Sequence, residues 1–205
     1  MKKQIIFIHG GEVFKNYKDY LKFLYKYKIN PLSIKRDKWQ DSLQKNLGSK
    51  YEVLMPQMPN ALNAKYLEWK IYFEKILPSL NKKIILIGKS LGGIFLAKYL
   101  STNKINNTIK ALFLIAPPFD DQDCDEPLVD FNFTSKELKN LSNLSKQCNL
   151  INVFHSYDDK VVPFADFLKY KKNLPKANFY ALKNYGHFNT KKFPEILKAI
   201  KNSGF

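Results

Sequence analysis

The run Ile84-Ile85-Leu86-Ile87 passes without a break into Gly88-Lys89-Ser90-Leu91-Gly92-Gly93. Four apolar residues, mostly β-branched, suit a strand buried on both faces, and a glycine-flanked serine directly after them suits a sharp turn into a helix. Further apolar runs of this kind occupy Gln4 to Ile8, Tyr51 to Met55, Lys110 to Ile115, Leu150 to Phe154 and Asn178 to Leu182, with Lys83 to Ile87 third in order. None alternates cleanly, so each reads as a strand of a parallel sheet covered by helices on both sides.

Helical stretches separate these runs. Between Asn63 and Leu77 the apolar residues Tyr66, Trp69, Ile71, Tyr72, Ile76 and Leu77 recur at roughly helical spacing, and Leu91 to Leu100 and Lys191 to Ile200 behave alike. Thr134-Ser135-Lys136-Glu137 has capping-box form and opens a helix expected to run through Ser145. Phe14 to Gly48 reads as a long helical connection with Gly48 as its stop. Strands alternating with helices imply right-handed crossovers and a doubly wound α/β sheet, whose sites lie beyond the carboxyl ends of the strands. No Pro/Gly/Ser-rich linker, repeat or low-complexity tract interrupts the 205 residues, so a single domain over 1–205 is expected.

The turn at Ser90 fits two chemistries on first sight. A phosphate loop, GxxxxGK[ST], requires a glycine at position 83, where Lys83 stands, and the intervening residues are strand rather than loop. The same residues satisfy GxSxG as Gly88-Lys89-Ser90-Leu91-Gly92. There the serine sits on a strained strand-to-helix turn with its hydroxyl exposed, and small flanking residues let strand and helix approach. Without a chemical partner, such a serine merely caps a helix.

A serine hydroxyl becomes a nucleophile when a histidine takes its proton and a carboxylate orients that histidine. The chain has three histidines: His9 ends the first strand, His155 ends the fifth, and His187 follows the sixth within Asn184-Tyr185-Gly186-His187-Phe188. All three fall at the edge where a site belongs. The loop after the fifth strand, Ser156-Tyr157-Asp158-Asp159-Lys160-Val161-Val162-Pro163, offers two adjacent aspartates that cannot both face one histidine. Leu91, immediately after the serine at a helix N-terminus, supplies one backbone N–H for an oxyanion.

In combination, "FIHG", Met55-Pro56-Gln57-Met58-Pro59-Asn60, "IGKSLGG", "DDKVVP" and "YGHF" resemble the α/β-hydrolase superfamily, and within it the retinoblastoma-binding-protein-like serine hydrolases. The resemblance implies about six parallel strands in the order 2-1-3-4-5-6, flanking helices and a minimal lid. Its Ser–acid–His chain order implies the triad Ser90, Asp159 and His187, since an aspartate followed three residues later by Val-Pro selects Asp159 over Asp158. Asp158 is then a turn residue, and His155, a weaker candidate base, is a neutral polar wall of the pocket. His9-Gly10-Gly11 resembles the oxyanion loop of lipases and esterases, which makes the Gly11 N–H the second donor. The substrate-binding candidates are Gly10, Lys89, Phe119 and His155.

The resemblance implies hydrolysis of small carboxylic esters through an acyl-enzyme, without cofactor or metal, by a monomer or weak dimer. An aminopeptidase or amidase with the same triad, and a non-catalytic interaction protein on the same fold, are the alternatives. Lys89 stands where histidine is common before the serine, the segment 14–34 is longer than the family's first loop, and the LxCxE peptide of animal relatives is absent.

The formal charge of +16 raises nucleic acid as a partner, yet almost all of it is lysine scattered along the chain, with Arg36 the only arginine. No nucleic-acid partner is expected. Cys124 and Cys148 lie in no metal or redox spacing and read as free thiols. Met1-Lys2-Lys3 followed by Ile5 to Ile8 is too short for a signal core or a membrane span, so a cytoplasmic location without membrane contact is expected. The loop after the fourth strand holds Asp120, Asp121, Asp123, Asp125, Glu126 and Asp130 beside Phe119, Leu128 and Phe131. It lacks EF-hand spacing and reads as a solvated lid with apolar residues turned toward the acyl pocket.

Overall fold

The computed structural model describes residues 2–28, 38–122 and 127–205. Arg36, Cys124, Asp123, Asp125 and Glu126 lie outside the described residues. The strands are β1 (Lys3–Ile8), β2 (Tyr51–Leu54), β3 (Lys83–Lys89), β4 (Thr108–Ile115), β5 (Ile151–Ser156) and β6 (Asn178–Leu182). They form one sheet in the order β2-β1-β3-β4-β5-β6, every neighbour parallel, as the resemblance implies. The helices are α1 (Tyr17–Lys26), α2 (Leu43–Leu47), α3 (Tyr66–Ile76), α4 (Leu91–Thr102), α5 (Ser135–Lys139), α6 (Leu144–Gln147), α7 (Phe164–Asn173) and α8 (Pro194–Lys201).

Alternate residues of the apolar strands feed two separate cores. Ile6, Ile8, Ile84, Leu86, Leu112, Leu114 and Val153 face one side, where Trp69 and Phe73 of α3 and Ile94, Phe95 and Leu96 of α4 cover them. Ile5, Phe7, Ile85, Ile87, Phe113, Ile115 and Phe154 face the other, under Trp39, Leu43, Ile196 and Ile200. A strand apolar on both faces is what this double burial requires. β6 closes the sheet with mostly exposed residues, though Tyr180 stacks on Phe154 with ring centroids 4.4 Å apart.

Two of the expected helices differ from their sequence pattern. The Thr134 box does form, Thr134 Oγ1 accepting from the Glu137 N–H at 3.3 Å and Glu137 from the Thr134 N–H at 2.7 Å. Its helix stops at Asn140, whose backbone leaves helical geometry at φ −96° and ψ 5° before a short 3-10 turn and α6. That break buries both Leu141 and Leu144 against α4. The connection between β1 and β2 likewise consists, among its described residues, of α1, a 3-10 turn over Trp39–Ser42 and α2, not one long helix. Gly48 stops α2 as expected, at φ +80°.

The β3–α4 corner allows no side chains at its closest points. A Cβ on Gly88 would lie 2.3 Å from the Gly92 carbonyl oxygen, and one on Gly92 would lie 2.3 Å from that of Ile8. Strand, helix and the neighbouring strand β1 therefore touch backbone to backbone. Gly92→Ala must push β1 from α4 and is expected to cost about 3 kcal/mol or more by urea denaturation.

A buried charge ends strand β3 in this framework. Lys89, the last residue of β3, is 6% exposed, and its ammonium donates to Asn189 Oδ1 at 2.8 Å. Burial, and then the charge of Lys38, pull the Lys89 ammonium down to about 8, against the opposing pull of Asp159. Its folded value thus lies below its unfolded one, so between the two the unfolded chain holds more protons and stability rises with pH. The penalty is fully present below about pH 8 and disappears by about pH 10.4, and is worth about 3 kcal/mol. Lys89→Met is expected to be more stable than the parent at pH 7 by about 2 kcal/mol or more, with the difference closing as pH rises through that window in parallel denaturant titrations.

Candidate active site

Ser90 is the pivot between β3 and α4. Its backbone is held at φ +52° and ψ −125°, a conformation sparsely populated for a residue with a side chain. Three bonds fix it: the Ser90 N–H donates to the Ile115 carbonyl at 2.8 Å, and the Ser90 carbonyl accepts from the N–H groups of Gly93 and Ile94 at 2.8 and 3.4 Å. Gly10 lies against the serine, since a Cβ there would stand 3.2 Å from Ser90 Cβ and 3.6 Å from Ser90 Oγ.

The acid and the imidazole meet across two loops. His187 Nδ1 lies 2.8 Å from Asp159 Oδ2. An ionised carboxylate only accepts, so the ring proton belongs on Nδ1 and leaves Nε2 as an acceptor. The Asp159 side chain is fully buried, and its other oxygen accepts from the N–H groups of Val161 and Val162 at 2.9 and 3.0 Å. That turn explains the Asp-x-x-Val-Pro spacing: Val162 donates back to the aspartate, and Pro163 then caps α7.

Asp158 does more than the turn expected of it. Its carboxylate accepts from Ser156 Oγ at 2.5 Å and from the N–H groups of Asn184 and Gly186 at 2.9 and 3.2 Å, tying the aspartate loop to the loop that carries His187. The Ser156 hydroxyl, foremost among these contacts, holds the Asp158 carboxyl below its ordinary range. Periodicity and motif carry no sign of this clasp, which joins residues 26 and 28 positions apart.

His155 and Phe119 do not form the pocket walls expected of them. His155 is fully buried, with Nε2 3.0 Å from the Val162 carbonyl and 3.9 Å from Asp159 Oδ2, and it lies edge-on to Phe164. Burial pushes its imidazole down, toward the neutral form that donates to Val162. It therefore braces the aspartate turn from behind. Phe119 packs in the core against Tyr170 and Phe133, at centroid distances of 5.0 and 5.3 Å, while Asp166 Oδ2 accepts from its N–H at 2.8 Å. Three aromatic rings bury one another better than a solvent-facing wall would. His9 is also structural: its Nε2 accepts from the Met58 N–H at 2.9 Å and its Nδ1 lies 2.6 Å from the Gly10 carbonyl.

Two cavities meet at Ser90. A polar cleft of about 470 Å³ is lined by residues that include Gly10, Gly11, Glu12, Lys38, Lys89, Ser90, His187 and Asn189. A small recess of about 30 Å³ is lined by Gly11, Val13, Ser90, Leu91, Pro118, Pro127, Leu128, Val161 and Val162. Gly11, Ser90 and Val161 belong to both. Gly11 abuts Leu91, with a Cβ on Gly11 only 3.3 Å from Leu91 Cδ2 and 2.8 Å from the Ala61 carbonyl. The Leu91 N–H opens α4 and has no partner within the helix.

Of Phe119, Leu128 and Phe131, the residues expected to turn toward the acyl pocket, Leu128 lines the recess, whereas Phe119 and Phe131 are part of the core. The loop's described carboxylates are occupied: Asp120 pairs with Lys169 at 2.7 Å, Asp121 accepts from the Leu128 N–H and Asn132 Nδ2, and Asp130 accepts from the Tyr66 N–H. Cys148 is a buried free thiol, raised to about 12 by burial. Among the described residues no helix is long and apolar enough to cross a membrane.

The family described as "Serine hydrolase" matches the chain over residues 33–201. The serine hydrolase RBBP9 of Rattus norvegicus is 26% identical over 152 residues, covering 74% of this chain and 77% of the rat protein. Among solved structures, the ydeN gene product of B. subtilis superposes with a TM-score of 0.68 at 17% identity, covering 98% of both chains. A carboxylesterase structure from Nitrososphaera gargenis gives 0.63 at 14% identity over 98% of this chain and 89% of that one. With the family matching most of its length on an α/β-hydrolase sheet, the chain belongs to the serine hydrolases and is an enzyme.

Proposed function

We propose that this hydrolase cleaves short-chain carboxylic esters through an acyl-enzyme formed on Ser90. One observation carries the reading: His187, held at 2.8 Å by buried Asp159, lines the same cleft as a strained, glycine-flanked Ser90. Ser90 Oγ forms a bond to the acyl carbon while its proton passes to His187 Nε2. The carbonyl oxygen, now negative, lies against the N–H groups of Gly11 and Leu91. As the acyl–oxygen bond breaks, His187 returns the proton to the leaving oxygen, and a water then repeats the sequence to free the acid.

The two cavities divide the substrate between them. His187 lines the polar cleft and not the recess, so the leaving group that takes its proton belongs in the cleft. The acyl chain then occupies the small recess beside Leu91. A volume of about 30 Å³ accepts a methyl or ethyl group.

A fluorophosphonate probe is expected to label the protein, and Ser90→Ala to abolish both labelling and hydrolysis of 4-nitrophenyl acetate. His187→Ala and Asp159→Asn are expected to lower kcat by about 10³-fold or more while the fold persists by circular dichroism. Unchanged turnover in either variant contradicts the assignment. Across 4-nitrophenyl esters, kcat/KM is expected to fall by about 10-fold or more between acetate and hexanoate. A preference for the longer chain would remove the recess as the acyl site.

A further inference from the structure

Burying a lysine without a carboxylate partner is costly, and Lys89 is placed in that way at the reacting serine. Its ammonium bonds to the neutral Asn189 side chain, and among the described residues no carboxylate oxygen lies within 4.0 Å of it. A second cation, Lys38, lines the same cleft. The pairing is built into the fold: Trp39 Nε1 donates to the Phe188 carbonyl at 3.0 Å and the Trp39 N–H to the Thr190 carbonyl at 2.9 Å. These bonds hold Lys38, next along the chain, beside the segment that carries Asn189. The end of β3, the turn after His187 and the approach to Trp39 thus converge on one side of the cleft. Asn189 receives the lysine on its carbonyl oxygen, which leaves its amide N–H donors for a ligand. Among the described residues lining the cleft Glu12 is the one acid, and its backbone is anchored to Ala61 and Ala64.

We propose that Lys89, Lys38 and Asn189 form an anion subsite for the leaving group, so that the preferred substrates are short-chain esters whose alcohol or phenol part carries a carboxylate or a phosphate. The inference rests on the acyl-enzyme reading, because His187, the proton donor, directs the leaving group to this side of Ser90. An anion there would meet two cations and would supply the counter-charge that the buried Lys89 ammonium lacks among the described residues. The lysine's cost to the free protein is thereby recovered on binding.

The test compares 4-acetoxybenzoate with its neutral analogue 4-acetoxybenzamide, which share an acyl group and nearly a shape. The parent enzyme is expected to favour the carboxylate by about 10-fold or more in kcat/KM, chiefly through KM, and less so as salt rises. Lys89→Met should bring that ratio to about one, and exposed Lys38→Met should lower it in part. A parent ratio near one, or a ratio unchanged in Lys89→Met, overturns the subsite. So does an equal loss on both esters in Lys89→Met, which would make Lys89 a support for the His187 loop. Calorimetry on Ser90→Ala protein, which holds the intact ester, measures the same preference without turnover. A charge preference in binding with no fluorophosphonate labelling of the parent would sink the acyl-enzyme reading alone, whereas labelling without a charge preference would sink the subsite alone.

Discussion

The absence of side chains at Gly88 and Gly92 is the constraint on which the rest of the cleft depends. Backbone lies against backbone there, with hypothetical Cβ atoms 2.3 Å from carbonyl oxygens. Only that approach lets β3 turn into α4 within a single residue, and only that turn holds Ser90 at a positive φ with its side chain toward the cleft. The sheet order then does the remaining positioning. β1 beside β3 brings Gly10 and Gly11 to the serine, and β5 with the loop after β6 bring Asp159 and His187 from the other side.

Around this pivot the chain invests in polar ties rather than further apolar burial. Asp158 bridges two loops, His155 braces the aspartate turn, and His9 links Gly10 to Met58. Each replaces a lost water contact with a directed bond, and each restricts a loop that carries a group of the proposed site. Lys89 is the exception, a buried ammonium whose partner is a neutral amide. A buried ammonium of this kind at the edge of the proposed reaction centre accords with the proposed anion subsite.

Strand positions were legible because burial on both faces writes itself as unbroken apolar runs. β6 has the bounds its run suggests, and β3 runs two residues beyond Ile87 because Gly88 and Lys89 still pair with Leu114 and Ile115. The serine, both aspartates and the histidine stood in motifs tied to turns, so their neighbourhood could be read from spacing. What spacing could not convey was direction. Phe119 turned into an aromatic cluster and His155 to the back of the aspartate turn, choices set by packing partners 14 to 51 residues away for the first. The Lys38–Asn189 neighbourhood was hidden for a similar reason, since it exists only through the bonds of Trp39 to the far end of the chain. The helix after Thr134 broke at Asn140 because Leu141 and Leu144 both had to reach the core.

The central claim is that the hydroxyl of Ser90 carries the acyl group, and trapping that intermediate tests it most directly. The enzyme is mixed with excess 4-nitrophenyl acetate, quenched in acid within the first turnover, digested and sequenced by mass spectrometry. The account predicts one added acetyl group on the peptide that spans β3 and α4, located at Ser90. Acetyl carried instead by lysines alone, or turnover with no covalent adduct at any quench time while Ser90→Ala stays fully active, would contradict it.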